Sequence, residues 1–447
     1  MTAPAAPPKL DAANGRAKSA AACLVGPVQS RSMRPLAMSP SPSAGRCRVV
    51  KHISTSPTPP SPRLRTEMRT IHQSPVAKCP SQRGFTLVEL MVGLVLGLLT
   101  VLVISQVLAL AEGKKRSITM GSDAQVNGAL SLFTLQRDVQ MAGYGAAASP
   151  DALGCSVTGK YDAGGASFVF PLAPVVITNG TSTDTDAPDT ITVLQGQTTN
   201  FSVPMVLKEE HPQSSNYFEV ASSLGAAVGN MMIVVPKLQG SGVGCTLFSV
   251  TNDTTSPATT LGPTRVPHAA TAASKWNQNS IFPASGYMSG SYLLNMGSMV
   301  YRSYSISSAH SLQMVERSPV NGALTDPPLE LYPQIVNLQA LYGKDTNGDG
   351  VVDTYDNVTP TTNAGWLQVL AIRIAVVARS NQYEKEIVTA SAPQWDVGAN
   401  ATIAGTTTCH GTSKCIALRV SQVAEWQHYR FKVYDTIVPL RNVLWNS

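Results

Sequence analysis

The segment DTNGDGVVDTYD at 345–356 carries oxygen-bearing side chains at regular intervals. Oxygen atoms of carboxylates, amides and backbone carbonyls are the ligands that Ca²⁺ prefers. Six residues fall at the ligand positions of an EF-hand-type loop: Asp345, Asn347, Asp349, Val351, Asp353 and Asp356. Gly350 stands among them, where such a loop turns sharply. The spacing predicts a Ca²⁺ site that clamps the fold, and the alternative is an ordinary turn rich in Asp and Gly.

A second unusual residue is Glu89, whose carboxylate lies just inside a long apolar segment. Residues 90–111 carry no charge and would form a helix of about 33 Å, enough to span a bilayer. A charge at such a position costs on the order of 3 kcal/mol unless it has a partner. A free α-amino group on Phe85, four residues earlier, would have the right sign. A simple membrane anchor does not explain Glu89.

The residues around Glu89 resemble the class III signal of type IV prepilins. The segment RGFTLVEL at 83–90 has the Gly, the Phe, the Glu and the unbroken apolar helix of that signal. The resemblance implies that a prepilin peptidase cleaves after Gly84 and methylates the new N-terminus, Phe85. It also implies that Glu89 neutralises the N-terminus of a neighbouring subunit during docking into the fibre.

Residues 1–84 are therefore expected to be removed as a leader. They contain thirteen Lys or Arg and only two acidic residues, together with many Pro and Ser. This composition predicts disorder, and it is also typical of organellar transit peptides. We favour a start assigned too far upstream, because a start at Met68 would leave a short leader of the kind that prepilins have.

The helix is predicted to continue beyond the membrane, over 85–142, with a transmembrane part at about 90–111. No Pro interrupts residues 117–142, and apolar residues recur there near helical spacing. Gly143 and Gly145 suit a helix end. The segment LFTLQRDVQMAGYG at 132–145 resembles the end of this helix in PilW-type minor pilins.

Residues 143–447 are predicted to form an exported, β-rich globular domain, because short apolar runs alternate there with turn residues. Nine strands are predicted: 168–170, 190–194, 217–220, 231–235, 246–251, 299–306, 312–316, 369–378 and 430–437. The expected fold class is α+β and type IV pilin-like, with the long helix packed on a mainly antiparallel sheet that carries long loops. The alternative is two smaller sheets around a common helix. The segments 228–235, 244–251, 335–353, 369–380 and 428–445 resemble strands of PilW-type minor pilins and J-type pseudopilins. The resemblance to PilW-type minor pilins is the closer one, chiefly in the C-terminal segment.

Four cysteines follow the expected cleavage point: Cys155, Cys245, Cys409 and Cys415. An even number in a domain carried into an oxidising periplasm predicts two disulfides. Sequence alone leaves three pairings open. The short loop between Cys409 and Cys415 favours that pair, which would leave Cys155 with Cys245. The alternative is a zinc site that uses His410, although neither a second His nor a CxxC motif lies nearby.

The formal charge of +6 does not indicate a nucleic-acid partner. The positive charge belongs to residues 1–84, whereas 85–447 contain twenty basic and twenty-five acidic residues. Only 13% of the residues are charged, which is typical of an exported strand-and-loop protein rather than a helical cytosolic enzyme.

The resemblance implies a structural protein, not an enzyme: a minor pilin that assembles into or primes type IV pili and serves twitching motility or adhesion. The expected partners are other minor and major pilins, the prepilin peptidase and the bacterial inner membrane. The C-terminal domain would lie in the periplasm before assembly and in the fibre at the cell surface afterwards. Apart from Ca²⁺, no cofactor is predicted. The alternatives are a J-type pseudopilin of type II secretion, or a membrane-anchored exported calcium-binding protein or enzyme.

Overall fold

A computed structural model describes residues 84–444, apart from 148, 163, 181–186, 199–202, 241, 253–260, 271–274 and 278–280. The side chains of residues 116–122 are not described either. The expected leader, including Met68, lies outside the described residues, and so do parts of two long loops.

The chain begins with one long helix, α1, which spans Leu87–Met141 and contains 55 residues. Thr86 caps its N-terminus, because the Thr86 backbone is extended and its hydroxyl accepts a hydrogen bond from the Glu89 N–H at 3.3 Å. The helix ends where Gly143 takes a left-handed conformation with φ of 80°, which favours glycine. The long N-terminal helix expected from the sequence is therefore present.

Twenty strands, two short α-helices and two 3-10 helices, Pro150–Ala152 and Trp426–His428, follow in the part of the chain that the structure describes. The first ten strands are β1 Ser156–Gly159, β2 Phe168–Pro171, β3 Val175–Thr178, β4 Thr190–Gln195, β5 Met205–Val206, β6 Tyr217–Glu219, β7 Met231–Val235, β8 Cys245–Ser249, β9 Arg265–Pro267 and β10 Tyr292–Gly297. The others are β11 Val300–Ile306, β12 Ser311–Glu316, β13 Leu329–Pro333, β14 Ile335–Lys344, β15 Thr354–Asp356, β16 Val369–Arg379, β17 Gln394–Gly398, β18 Thr407–His410, β19 Ser413–Ala417 and β20 Phe431–Pro439. The short helices are α2 Asn363–Leu367 and α3 Arg441–Leu444.

These strands form five sheets. Their orders are β2-β1-β8-β7-β10-β5, β13-β12-β11-β4-β3, β15-β14-β16-β20, β17-β19-β18 and β6-β9. Among these sheet pairs, β1 runs parallel to β8, and the other pairs are antiparallel. The predicted α+β class with a mainly antiparallel sheet domain is confirmed.

The C-terminal half of α1 packs on the four-stranded and the five-stranded sheet together. Its buried residues Leu135 and Val139 lie in one core with residues of β4, β11 and β16. Gly128 allows α1 to approach β20 closely, because a Cβ at this position would collide with the Tyr434 ring. Two of the five sheets therefore share the helix, as the alternative of two smaller sheets around a common helix expected, and the other three sheets lie outside that alternative.

The six-stranded sheet has a core on each of its faces, which explains why its central strands are apolar throughout. Successive side chains of a strand point to opposite faces. In β7, Ile233 lies in one core and Met232 and Val234 lie in the other, and all five residues of the strand are buried. This part of the chain therefore has its own hydrophobic cores, separate from that of α1.

The three-stranded sheet covers the face of the four-stranded sheet that is opposite α1. In β16, Ile374 and Val376 belong to the core beneath α1, whereas Ala375 and Val377 belong to a core shared with Trp395 of β17. The four-stranded sheet is thus sandwiched between α1 and the three-stranded sheet.

Candidate functional site

The expected cleavage junction lies immediately before α1. Gly84 and Phe85 precede the helix and are exposed, with 83% of Phe85 accessible to solvent. A peptide bond outside secondary structure is open to a peptidase in a way that a helical bond is not. The structure therefore places Gly84 and Phe85 where a processing enzyme could reach them.

Glu89 lies in the first turn of α1, and its local geometry offers a second explanation for this residue. The Thr86 hydroxyl accepts a hydrogen bond from the Glu89 N–H, and Thr-x-x-Glu is the pattern of a capping box. A carboxylate in the first turn is also favoured by the helix dipole. Any test of a role in subunit docking has to separate the charge of Glu89 from its contribution to the cap.

Within the part of the chain that the structure describes, the first half of α1 has no protein around it. Leu87–Lys115 is long and apolar enough to cross a membrane, and its most apolar stretch is not buried against other described residues. Its large apolar side chains are more than half exposed, which is far more apolar surface than a soluble monomer carries. This surface needs lipid or neighbouring helices to cover it.

The second half of α1 is fixed to the sheet domain by Asp138. This carboxylate accepts hydrogen bonds from Tyr304 at 2.5 Å and from Arg302 at 3.1 Å, and Arg302 also contacts Glu316 at 2.6 Å. Burial, and then the hydrogen bond to Asp138, raise the pKa of Tyr304, so its hydroxyl remains a donor. Burial alone would lower the pKa of Arg302, but its two carboxylate partners raise it. We call the contacts of Asp138 with Tyr304 and Arg302 the Asp138 latch. The sequence alone did not predict it, although an Asp on the apolar face of the helix, three residues after Leu135, indicates a buried carboxylate that needs partners.

Both disulfides favoured by the sequence are present. Cys155 pairs with Cys245 and Cys409 pairs with Cys415. Asp396 lies with the latter pair in a group whose potential ligand atoms are within 4.8 Å of one another. Because both of these sulfurs are in a disulfide, neither can act as a thiolate ligand, and a zinc site there is disfavoured.

The acidic loop between β14 and β15 is ordered by Asp345. The Asp345 carboxylate accepts hydrogen bonds from the N–H groups of Gly348 at 2.6 Å and Gly350 at 2.7 Å. Burial pushes the pKa of Asp345 upward, but these backbone hydrogen bonds outweigh burial and lower the pKa. Gly350 has φ of 81°, as the turn requires.

The structure brings three of the predicted Ca²⁺ ligands together and places one elsewhere. The Asn347 amide lies 3.1 Å from an oxygen of Asp349 and 3.3 Å from an oxygen of Asp353. Val351 donates its N–H to Asp349 at 2.8 Å. Asp356 instead lies in β15, where it pairs with Lys344 at 2.7 Å. The last of the six predicted ligands, Asp356, is therefore paired with a lysine in this arrangement.

Two family models match the chain. Residues 79–105 match the prokaryotic N-terminal methylation motif, and residues 301–442 match type IV pilus-assembly protein W. The second match covers the strands from β11 to β20 and the start of α3, and residues 106–300 lie outside both. No curated protein sequence and no solved structure gives a significant match.

The fold and the N-terminal segment are similar to those of prepilin-like proteins, with an apolar N-terminal helix followed by a mainly antiparallel sheet domain. Within this class, the chain is similar to the PilW type, as the sequence indicated, and both matches support a minor-pilin role in the type IV pilus. They point to a structural rather than a catalytic role and imply interaction with other pilus components. The motif and the one apolar helix found among the described residues suggest membrane anchoring and association with a pilus.

Proposed function

We propose that this chain is a type IV prepilin of the minor, PilW type that is cleaved after Gly84, methylated on Phe85 and assembled into or used to prime a pilus. The exposed apolar half of α1 carries the proposal. The same surface, Leu87–Lys115, lies in the inner membrane before assembly and among the helices of neighbouring minor and major pilins afterwards. The sheet domain stands on the periplasmic side and then on the fibre surface.

Glu89 is the residue that this proposal needs most. In the membrane its carboxylate costs free energy, and during assembly the methylated α-amine of a neighbouring Phe85 provides an opposite charge. A J-type pseudopilin would use the same residues, and the match of residues 301–442 to a pilus-assembly family favours the pilus.

The test compares Glu89→Gln and Glu89→Val with the wild type in cells that make pili. Gln keeps a polar side chain of the same length for the helix cap but removes the charge, whereas Val removes both. Both variants should insert into the membrane and be processed, and their amount in sheared fibres should fall about tenfold or more. Glu112→Gln, which removes a charge at the other end of the apolar segment, should assemble as the wild type does.

Two outcomes would count against the proposal in different ways. Normal incorporation of Glu89→Gln would mean that the cap, and not the charge, explains Glu89. Absence of the wild-type chain from sheared fibres, and no loss of pili when it is deleted, would exclude both the structural and the priming role.

We also propose that the loop 345–353 holds one Ca²⁺ ion as a structural clamp. The convergence of Asn347, Asp349 and Asp353 supports this, together with the backbone turn that Asp345 orders. The ion would fix the end of β14 and would take no part in any reaction.

A further inference from the structure

Strand β20 lies at the end of the four-stranded sheet and has a partner on one side only. Its nine residues pair with β16 in an unbroken register, from Ala371 with Pro439 to Arg379 with Phe431. Exposed edges of this length are usually blunted by charged side chains, by a bulge or by a proline within the strand. In β20 the charges are Lys432 and Asp435, the pairing with β16 has no bulge, and Pro439 is the last residue of the strand.

The register shows which backbone groups face outward. The Leu440 N–H donates to the Leu370 carbonyl, so even-numbered residues of β20 point their backbone groups towards β16. The N–H and C=O groups of Val433, Asp435 and Ile437 therefore point away from the sheet. No hydrogen bond from the described part of the chain reaches these groups.

A groove of about 530 Å³ lies beside this edge, on the face opposite α1. Val433 and Asp435 form one wall, and Trp395, Asp396 and Ser413 of the three-stranded sheet lie across from them. Ile437 points to the same face, is 49% exposed and stands opposite Arg373 in the ladder. The free edge and the groove thus form one continuous surface, which we call the β20 edge site.

The β20 edge site carries an excess of negative charge. The Ser413 hydroxyl and the Gly398 N–H, both bonded to Asp396, lower the pKa of that carboxyl, so Asp396 is an anion. The Asp435 side chain is 47% exposed and contacts Arg373 at 3.2 Å. Two carboxylates against one guanidinium favour an additional cation in the groove.

Two copies of this chain in the same pilus cannot pair their β20 strands in an antiparallel manner. Gly128 of α1 faces Tyr434, and Asn442 bonds to the carbonyls of Met141 and Ala142, so α1 and β20 run in the same direction. An antiparallel pair of β20 strands would be related by a two-fold axis normal to the sheet, which would reverse α1 in the second copy. Subunits of one pilus need parallel helices, and this step rests on the proposed function.

The other edge of the same sheet is closed. Strand β15 has three residues, Tyr355 bridges to Ala401, and the Thr402 N–H donates to the Tyr355 carbonyl at 2.8 Å. A neighbouring copy therefore cannot supply this edge to β20 either.

We propose that an extended segment of a different pilus subunit adds as a fifth strand to the β20 edge. Its alternate side chains enter the groove, and the segment carries a Lys or Arg beside Asp435 and an apolar residue, two positions away, beside Ile437. Backbone hydrogen bonds to Val433, Asp435 and Ile437 hold the strand, and the charge pair sets its register.

The experiment uses the full-length chain in piliated cells, with the photoreactive amino acid p-benzoylphenylalanine in place of Gln394. Gln394 is exposed in the wall of the groove and is not part of β20. Illumination should link the chain to one other protein, and mass spectrometry should place the link in an extended segment with a Lys or Arg two positions from an apolar residue.

Two variants then test the edge. Ile437→Pro removes an outward N–H and keeps the ladder with β16, whereas Asp435→Lys reverses the charge. Each should reduce the cross-link about tenfold, whereas Ile437→Thr, which keeps the N–H, should leave it within about twofold. Formation of both disulfides checks the fold, and Asp435→Lys carries the test if Ile437→Pro does not fold.

Four outcomes would overturn the inference: no cross-linked polypeptide, a link to a second copy of this chain, a linked segment without a basic residue, or a link unaffected by both variants. The amount of the chain in sheared fibres from the same cells separates the two proposals. A wild-type chain that is present in fibres but fails these tests would overturn the edge site and leave the pilus role intact.

Discussion

The carboxylate of Asp138 on α1 and the hydroxyl of Tyr304 on β11 are joined by a hydrogen bond of 2.5 Å across 166 residues of sequence. Both residues are buried, so neither has water as an alternative partner. This contact connects the helix that would enter a fibre to a strand at the start of the segment matched to type IV pilus-assembly protein W. It makes the helix and the sheet domain one mechanical unit.

Loss of Asp138 should loosen the helix from the sheet domain. Asp138→Ala leaves Tyr304 without an acceptor and Arg302 with one carboxylate instead of two, which should cost about 2–4 kcal/mol in the free energy of unfolding. Tyr304→Phe should cost about 1 kcal/mol. Urea unfolding of a chain that begins at Glu112 measures both changes in the free energy of unfolding. The omitted apolar segment is not buried against the rest of the described protein, so its removal leaves the sheet domain and its contacts with α1 in place.

Arg137→Ala is the matched control for this prediction. Arg137 also contacts Asp138, but its side chain is 65% exposed, so its loss should change stability by less than about 0.5 kcal/mol. If Asp138→Ala and Arg137→Ala lowered the free energy of unfolding equally, the buried contacts of Asp138 would not be what holds α1 to the sheet domain.

Processing should depend on Gly84 without any effect on the fold. A Cβ at Gly84 would meet nothing within 4 Å, so Gly84→Val is sterically neutral for the protein itself. We expect this variant to accumulate as an unprocessed precursor in the membrane, detected by its size and by its N-terminal peptide in mass spectrometry. Gly93→Ala, which also meets nothing within 4 Å, should be processed normally. A mature chain beginning at Phe85 in Gly84→Val would exclude the prepilin assignment of this junction.

The strands that the sequence predicted are those whose apolar runs are continuous and end at turn residues. All nine overlap observed strands, and the prediction for β7 matches its bounds, Met231–Val235. Strand β10 was missed because Asn295 and Gly297 interrupt its apolar pattern. Asn295 is fully buried. Its burial is tolerated because its amide donates to the Gly225 carbonyl at 2.7 Å and its side-chain oxygen accepts the Gly297 N–H. A partner 70 residues away cannot be inferred from local periodicity.

The site residues show the same limit. The cleavage motif and the acidic loop are local patterns, and the sequence was sufficient to propose them. The position of Asp356 depends on the β14–β15 register, which sets Asp356 opposite Tyr342 and within reach of Lys344. Asp138 and the β20 edge depend on contacts between distant elements, so they became visible only in the fold.

Calcium should stabilise the sheet domain through the loop 345–353. Without an ion, the carboxylates of Asp349 and Asp353 converge on Asn347 and repel each other. Ion binding to the folded state alone raises the free energy of unfolding by about 2.7 kcal/mol at a hundred times the dissociation constant. The melting temperature of the chain from Glu112 should therefore be higher in millimolar CaCl₂ than in EGTA.

Variants identify the ligands in this experiment. Asp349→Ala should abolish the calcium-dependent rise in melting temperature, and Glu209→Ala, which removes an exposed acid elsewhere, should preserve it. Asp356→Asn should preserve most of the rise if, in the wild type, Asp356 pairs with Lys344 and does not bind the ion. Identical melting curves of the wild type in both buffers would leave only an ordinary turn and would not affect the pilin assignment.

A buried histidine pair should make the stability of the domain depend on pH. His211 and His268 are each 2% exposed, and their Nε2 atoms are 2.8 Å apart, so one ring donates and the other accepts. Burial lowers the pKa of His211 from 6.5 to about 4. Burial, and then repulsion from His211, lower the pKa of His268 from 6.5 to about 3.

The sign of the effect follows from these values. In the unfolded chain both rings take up a proton as the pH falls through 6.5, whereas the folded chain resists protonation down to about pH 4. The stabilisation that the neutral pair provides above pH 6.5 is therefore lost progressively as the pH falls from 6.5 to about 3. Burial raises the pKa of Asp189 from 3.8 to about 7, so this carboxyl stabilises the fold as the pH falls from 7 to 3.8 and opposes the histidine effect between pH 6.5 and 4. The comparison therefore has to be made between variants.

Replacing both histidines should flatten this acid dependence. In His211→Phe/His268→Phe the rings would continue to pack against Phe218, whose ring centroid lies 3.9 Å from that of His211, but they could not take up a proton. The urea midpoint of the chain from Glu112, measured at pH 7.5, 5.5 and 4.5, should fall less steeply in the double variant than in the wild type. His410→Gln, which changes an exposed histidine, should retain the wild-type slope. If the double variant and the wild type lose stability in parallel, the acid sensitivity arises outside this pair.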